Sequence, residues 1–452
     1  MKKTLLLSLL LFPFIIKAQS LSYTDAAVLF SQEDQYGTAR YVGMGGAFGA
    51  LGADMSAVDI NPAGLAVFTT TDFGFTMSYR NTDSYSNFYN TGTGNQDDFF
   101  RFSQVGGVLP FSTYGSSDFR RFSIGFNYSL VKDFDNAFFV RGNSGYPDFV
   151  DDPYLNYDDD PSNNVYYNNV DNQRFTNYMA GTHERFSFSF ATQYKDYLYL
   201  GAAINTHHIG FSQRAIYDEN NNDGNDNTID ASVSHYLGDY GAGVNFTIGA
   251  IFKPTHELRF GATYQSPTWY DLSENFNEDI EITVSNSSQL YTENNDPNYF
   301  DYSLSSPSQF TGSFAYVFGK KGLFSFDYVY KDYQNISLKP SGEFIDENQE
   351  MSTYLQGTSS FRLGTEWRMG IFSLRGGYRF EQSPYRYAES SNDLTGYSLG
   401  LGIRFNRMFK FDIAYDNYSY NYKYSFLNID EVVPANILEN NYRITSTLVF
   451  TF

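Results

Sequence analysis

The chain has 452 residues, a formal net charge of −21 and no cysteine. Disulfide-stapled secreted folds are therefore excluded, and so is a nucleic-acid partner, which needs clustered Lys and Arg. Forty Tyr and 44 Phe beside 2 Trp make 19% of the chain aromatic, yet mean hydropathy is only −0.41; aromatic excess without long apolar runs points to membrane strands, in which apolar and polar side chains alternate.

Lys2 and Lys3, the apolar run Thr4 to Ile16 and then Lys17-Ala18-Gln19 read as a signal peptide over residues 1–18, cut after Ala18. The run is shorter than the ~20 residues of a membrane helix. Residues 19–71 are expected to form a small N-terminal hatch, or plug. A short helix is expected near Asp25 to Phe30, with Thr24 as its N-cap. Next comes the glycine-rich run Gly43 to Leu65, GMGGAFGALGADMSAVDINPAGL. There Asn61 suits a helix N-cap, Pro62 suits the first helical position, and Ala63 to Leu65 complete a turn.

Residues 72–452 read as a transmembrane β-barrel, an all-β antiparallel fold, with strands near 72–80, 101–110, 119–132, 183–194, 197–212, 241–253, 257–270, 308–319, 322–334, 357–369, 371–382, 395–406, 409–423 and 439–452. Phe122, Ile124, Phe126, Tyr128 and Leu130 alternate with Arg121, Ser123, Gly125, Asn127 and Ser129; Phe186, Phe188 and Phe190 alternate with Arg185, Ser187 and Ser189. The apolar faces are assigned to lipid and the polar faces to the lumen. Fourteen is an even number, and short connections at 195–196, 254–256, 319–321 and 370 alternate with long ones at 133–182, 213–240, 271–307 and 335–356. This is the periplasmic-turn and extracellular-loop pattern of outer-membrane barrels, and it places both termini on the periplasmic side. The lumen of such a barrel is wide enough for a plug, or for a channel without one.

Residues 38–68, with Asp54 ahead of Asn61-Pro62-Ala63-Gly64-Leu65 and a run of small residues that includes Gly45 and Gly46, resemble the amino-terminal hatch of the FadL/TodX-type outer-membrane transporters of long-chain fatty acids and aromatic hydrocarbons. The terminal Phe452 likewise resembles the signature by which such barrels are inserted by the barrel-assembly machinery. The resemblance implies a monomer in the outer membrane of a Gram-negative bacterium, in contact with its lipid. It also implies passive, hatch-gated passage of hydrophobic molecules, which leave sideways through the wall at a kink in the third strand. That strand has no proline here, so Gly125 is the position for a kink.

Glu219, Asn221, Asp223, Gly224 and Asp230 occupy positions 1, 3, 5, 6 and 12 of a degenerate calcium-loop template, set against a solvated acidic loop. No other cofactor is expected. Arg362, Glu366, Arg368, Arg375, Arg379, Glu381, Arg404, Lys410 and Asp412 fall on inward faces of neighbouring strands, either as a carboxylate head-group site or as an ion-pair network that holds the hatch. The histidines are His183, His207, His208, His235 and His256; His207 and His208 alternate faces, and only His235 falls in a long loop, so neither an enzyme nor haem uptake is favoured. The competing reading from another class is a surface barrel whose Tyr/Asn/Asp loops bind glycans or cells.

Overall fold

A computed structural model describes residues 20–113, 117–153, 165–285, 290–427 and 429–452; the expected signal peptide and Gln19 lie outside the described residues. The strands are β1 (Asp72–Phe88), β2 (Thr91–Ser112), β3 (Phe119–Asp133), β4 (Asn136–Gly142), β5 (Asn169–Tyr194), β6 (Leu198–Asn222), β7 (Thr228–Phe252), β8 (Leu258–Gln265), β9 (Trp269–Val284) and β10 (Leu290–Asn294). They continue with β11 (Asn298–Ser305), β12 (Gln309–Phe318), β13 (Gly322–Asp332), β14 (Ser337–Lys339), β15 (Gly357–Met369), β16 (Phe372–Glu381), β17 (Leu394–Arg404), β18 (Phe409–Tyr424) and β19 (Ala435–Thr451). Fourteen of these form the wall, all antiparallel, in the order β1-β2-β3-β5-β6-β7-β8-β12-β13-β15-β16-β17-β18-β19. Pairing of β1 with β19, from Asp72↔Thr451 to Asn87↔Asn436, closes the cylinder and leaves no free sheet edge at the seam. Among the described residues no helix is long and apolar enough to cross a membrane.

Many wall strands run well past the ends expected from alternation, because the alternation changes phase. Along β18 the outward residues are Phe409, Phe411, Ile413 and Tyr415, then Asn417, Ser419, Asn421 and Lys423. The inward residues change oppositely, from Lys410, Asp412 and Asp416 to Tyr418, Tyr420, Tyr422 and Tyr424. Lipid outside and a polar lumen inside select the first half; water outside and a packed interior select the second. Above the membrane belt the barrel thus continues as a collar with an inside-apolar pattern.

The connections at the collar end are themselves folded. β4 pairs with β5, β9 pairs with the upper part of β7 and with β10 and β11, and β14 pairs with β11. Helix α4 (Ile345–Tyr354) completes this tier. One collar core joins Phe88, Phe138, Phe175, Tyr217 and Phe426, all 2% exposed or less.

Residues 20–71 occupy the lumen and contain α1 (Tyr23–Ser31), α2 (Ala39–Val42), α3 (Ala57–Ile60) and a 3-10 turn at Pro62–Val67. α1 starts two residues earlier than expected, and its cap is Ser22, whose hydroxyl accepts from the Asp25 N–H at 3.1 Å; the Thr24 hydroxyl instead donates to Glu350 at 3.0 Å. Of the two termini expected on the periplasmic side, the N-terminal one lies outside the described residues. The Phe452 N–H reaches the Thr71 carbonyl at 2.8 Å, whereas Leu21 N–H bonds Gln213 and the Tyr23 hydroxyl bonds Glu274 in the collar.

Candidate functional site

The hatch is keyed to the wall by backbone fit. Asn61 caps the 3-10 turn: its Oδ1 accepts from the Ala63 N–H at 3.1 Å, with Pro62 at the first position, where no N–H is required. Its Nδ2 donates to the Gly49 carbonyl at 2.7 Å within the hatch and to the Ala250 carbonyl of β7 at 3.1 Å. Asn61 is 1% exposed, so both of these donor contacts are buried between hatch and wall. The approach needs bare backbone on the wall side: a Cβ on Gly249 would overlap the Asn61 side chain, one on Gly201 would overlap Pro62, and one on Gly377 would overlap the Gly45 N–H. Gly45 and Gly46 turn the chain at φ +61° and +77°. Asp327 of β13 accepts both the Phe48 and Gly49 N–H groups at 2.9 Å. Gly64 packs against Gly52, and Leu65 is fully buried among Val108, Ala191, Tyr199 and Ile251 of the wall.

Charged latches add to this fit. Glu366 of β15 lies 2.8 Å from hatch Arg40 and also 2.8 Å from both Arg368 and Arg375; Arg375 continues to Asp412, and Lys410 to the same carboxylate, each at 2.7 Å. Hatch Asp54 accepts from the Thr38 hydroxyl at 2.7 Å and stands 3.8 Å from Arg40. Arg379 reaches Glu381 at 3.5 Å, while Arg404 is exposed at the short-turn end and Arg362 Nε has no hydrogen-bond partner. Sequence reasoning missed the latches from the hatch's own acids: Glu33 and Asp59 to Arg185 at 3.3 and 3.1 Å, and Asp34 to Lys132 at 3.3 Å. Removing one member of a buried pair leaves the other charge uncompensated, at a cost of about 3–5 kcal/mol.

Above the hatch lies a cavity of ≈ 720 Å³, within the size range of small-molecule sites. Tyr36, Tyr41, Asp59 and Ile60 of the hatch line it from below, α1 and the collar enclose it, and the tyrosines of β18 form one side. It reaches Leu130 and Val131 of β3. There the wall is irregular: β2 pairs with β3 only from Gln104↔Ser129 to Ser112↔Arg121, and β3 is bulged at Val131, between Leu130↔Glu184 and Lys132↔His183. The Val131 carbonyl accepts the Asp34 N–H of the hatch at 2.8 Å. Gly125 carries no kink. It keeps register with both Val108 and Ser189, and its missing Cβ makes room for Leu65 instead.

The calcium template does not assemble, because these residues lie on a β-hairpin rather than in a loop. Glu219 and Asn221 face inward and are fully buried, whereas Asp230 is exposed on the opposite face, paired with Asn220. Glu219 Oε1 accepts the Asp148 and Phe149 N–H groups at 2.9 Å, and Asp223 accepts from Asn225 and Asn227 within its own turn. His235 belongs to β7 and bonds Glu278 at 2.6 Å, so its loop placement is corrected. His207 faces inward and His208 outward; His207 Nδ1 and His183 Nε2 share a hydrogen bond at 2.8 Å.

No protein-family model and no curated protein sequence matches the chain. Solved structures do match in fold. A Pseudomonas aeruginosa FadL homologue aligns over 93% of this chain and 100% of its own with a TM-score of 0.60 at 14% identity. The P. putida toluene transporter TodX gives 0.56 at 13% identity over 93% and 99%, and the Ralstonia pickettii toluene transporter TbuX 0.54 at 16% over the same shares. The fold is that of the FadL/TodX-type barrels, which the hatch residues at 38–68 resemble.

Proposed function

We propose that the protein is an outer-membrane passage for lipophilic small molecules, closed by its N-terminal hatch. One coincidence carries this reading: the cavity is floored by the hatch and reaches the wall where the β2–β3 ladder has ended and β3 is bulged. A solute held there lies between the collar mouth, the plug and a seam toward lipid. Such a site suits a lipophilic solute, which gains little from an open water channel. The toluene transporters that share this fold support the reading. Long-chain fatty acids are the first cargo to test, with Arg362 as the position for a head group, and the Val131 bulge replaces Gly125 as the candidate sideways exit. Catalysis plays no part in it.

The test is uptake of a labelled long-chain fatty acid and of toluene by cells with no other such transporter. Cells with the intact chain should exceed the empty control several-fold, and Asn61→Ala with Pro62→Ala should lower the discrimination against small hydrophilic dyes. Equal uptake with and without the protein refutes the proposal.

A further inference from the structure

We infer that the cavity prefers amphiphiles with a neutral, hydroxylated head, of the alkyl glycoside kind, over hydrocarbons and fatty-acid anions; this rests on the cavity being the cargo site proposed above. Its lining is the first reason. Its exposed surface is divided almost evenly between apolar and polar atoms, with side chains such as Tyr420, Tyr422 and Arg362 contributing to both. A pure hydrocarbon meets the apolar part of that surface but strips water from its hydroxyl, amide and charged groups without returning a hydrogen bond, whereas an amphiphile matches both parts.

The aromatic residues point the same way. Ten tyrosines line the cavity against two phenylalanines, although the chain as a whole holds 40 Tyr and 44 Phe. A tyrosine offers a flat apolar face and a polar tip, the counterpart of a ring solute with apolar faces and a rim of hydroxyls. Four of them, Tyr418, Tyr420, Tyr422 and Tyr424, recur at every second position of β18. The Tyr420 and Tyr422 rings stack with centroids 6.1 Å apart, and both hydroxyls donate to Glu439, at 2.6 and 2.9 Å.

Charge then decides against an anion. The lining holds eight carboxylates and seven cations. Glu33, Asp34, Asp133 and Glu381 each have a Lys or Arg within 4 Å. A carboxylate head would have to displace one of these partners or rely on Arg362 alone, whereas a neutral head disturbs none of them.

The experiment uses the full chain in phospholipid nanodiscs prepared without glycoside detergent, with empty nanodiscs to subtract partitioning. Octyl glucoside below its micelle concentration, decanoate and octane are titrated while intrinsic tyrosine fluorescence is read. The expected result is octyl glucoside binding about 10-fold or more tighter than either other probe. Tyr420→Phe with Tyr422→Phe, which keeps the rings, should weaken the glucoside several-fold and leave octane unchanged. Decanoate or octane binding as tightly as the glucoside overturns the inference and leaves the transport reading standing; no probe binding above empty nanodiscs overturns both.

Discussion

The membrane belt and the collar are built from the same strands with opposite polarity. In the belt, Phe188 on β5 is 66% exposed and its neighbours Ser187 and Ser189 are buried. On the same strand in the collar, Phe175 is 0% exposed and meets Phe138 and Phe426 inside. One ladder of hydrogen bonds carries both arrangements, so the backbone is indifferent to which face is apolar; the solvent outside decides. The lesson is that a β-barrel need not end where its lipid-facing pattern ends.

Exchanging the two rules should separate them. The largest effect is expected for Phe175→Ala, which opens a void in the collar core and should cost about 3–5 kcal/mol, read as a lower urea midpoint for collar proteolysis while the belt stays folded. Phe188→Arg places a charge at lipid depth and should cost about 2–4 kcal/mol, read as a smaller fraction folded after refolding into vesicles. Ser419→Arg, outward in the collar, should be silent in the same assay. Asn61→Ala removes two donor contacts and a cap, and should cost roughly 1–3 kcal/mol, seen as faster hydrogen exchange over residues 43–68.

The smallest effect concerns pH and is confined to the collar. Asp239 is 1% exposed and accepts from Tyr302 at 2.9 Å; burial, and then the charge of Glu274, pushes its carboxyl up to about 7. An unfolded aspartate titrates near ~3.9, so the neutral form favours the folded collar fully below that pH, and the gain is lost as pH rises through about 7. Protection of residues 228–240 from exchange should therefore fall between pH 5 and 8. Asp239→Asn should flatten that slope, and an unchanged slope would reassign it to another group.

The belt was legible because lipid enforces a strict period of two. Phe186, Phe188 and Phe190 announce β5 without help, but Asn169 to Thr182 do not, since there the apolar residues turn inward and the outward ones become polar. The tyrosines at 418, 420, 422 and 424 were the missed signal of that reversal. Local chemistry was legible in the hatch, where Asn61-Pro62 caps a turn, and ambiguous at α1, where Ser22 and Thr24 both offer a hydroxyl. The pairing of Asp59 and Glu33 with Arg185 joins residues more than a hundred positions apart, beyond any spacing rule. The calcium template failed for a related reason: its spacing presumes a coiled loop, and strand alternation sends Glu219 and Asp230 to opposite faces.

The path of residues 20–71 also bears on how the molecule is made. This segment leaves the wall beside Phe452 at one end, fills the lumen, and is bonded through Leu21 and Tyr23 to the other end, inside a cylinder sealed by β1 against β19. A barrel that zipped this seam first would have to thread its own beginning lengthwise through a finished tube. Closing the seam while residues 20–71 are already inside avoids that threading, because the Ala39 N–H of the segment then meets the Thr447 hydroxyl of β19 as the last strand pairs with β1.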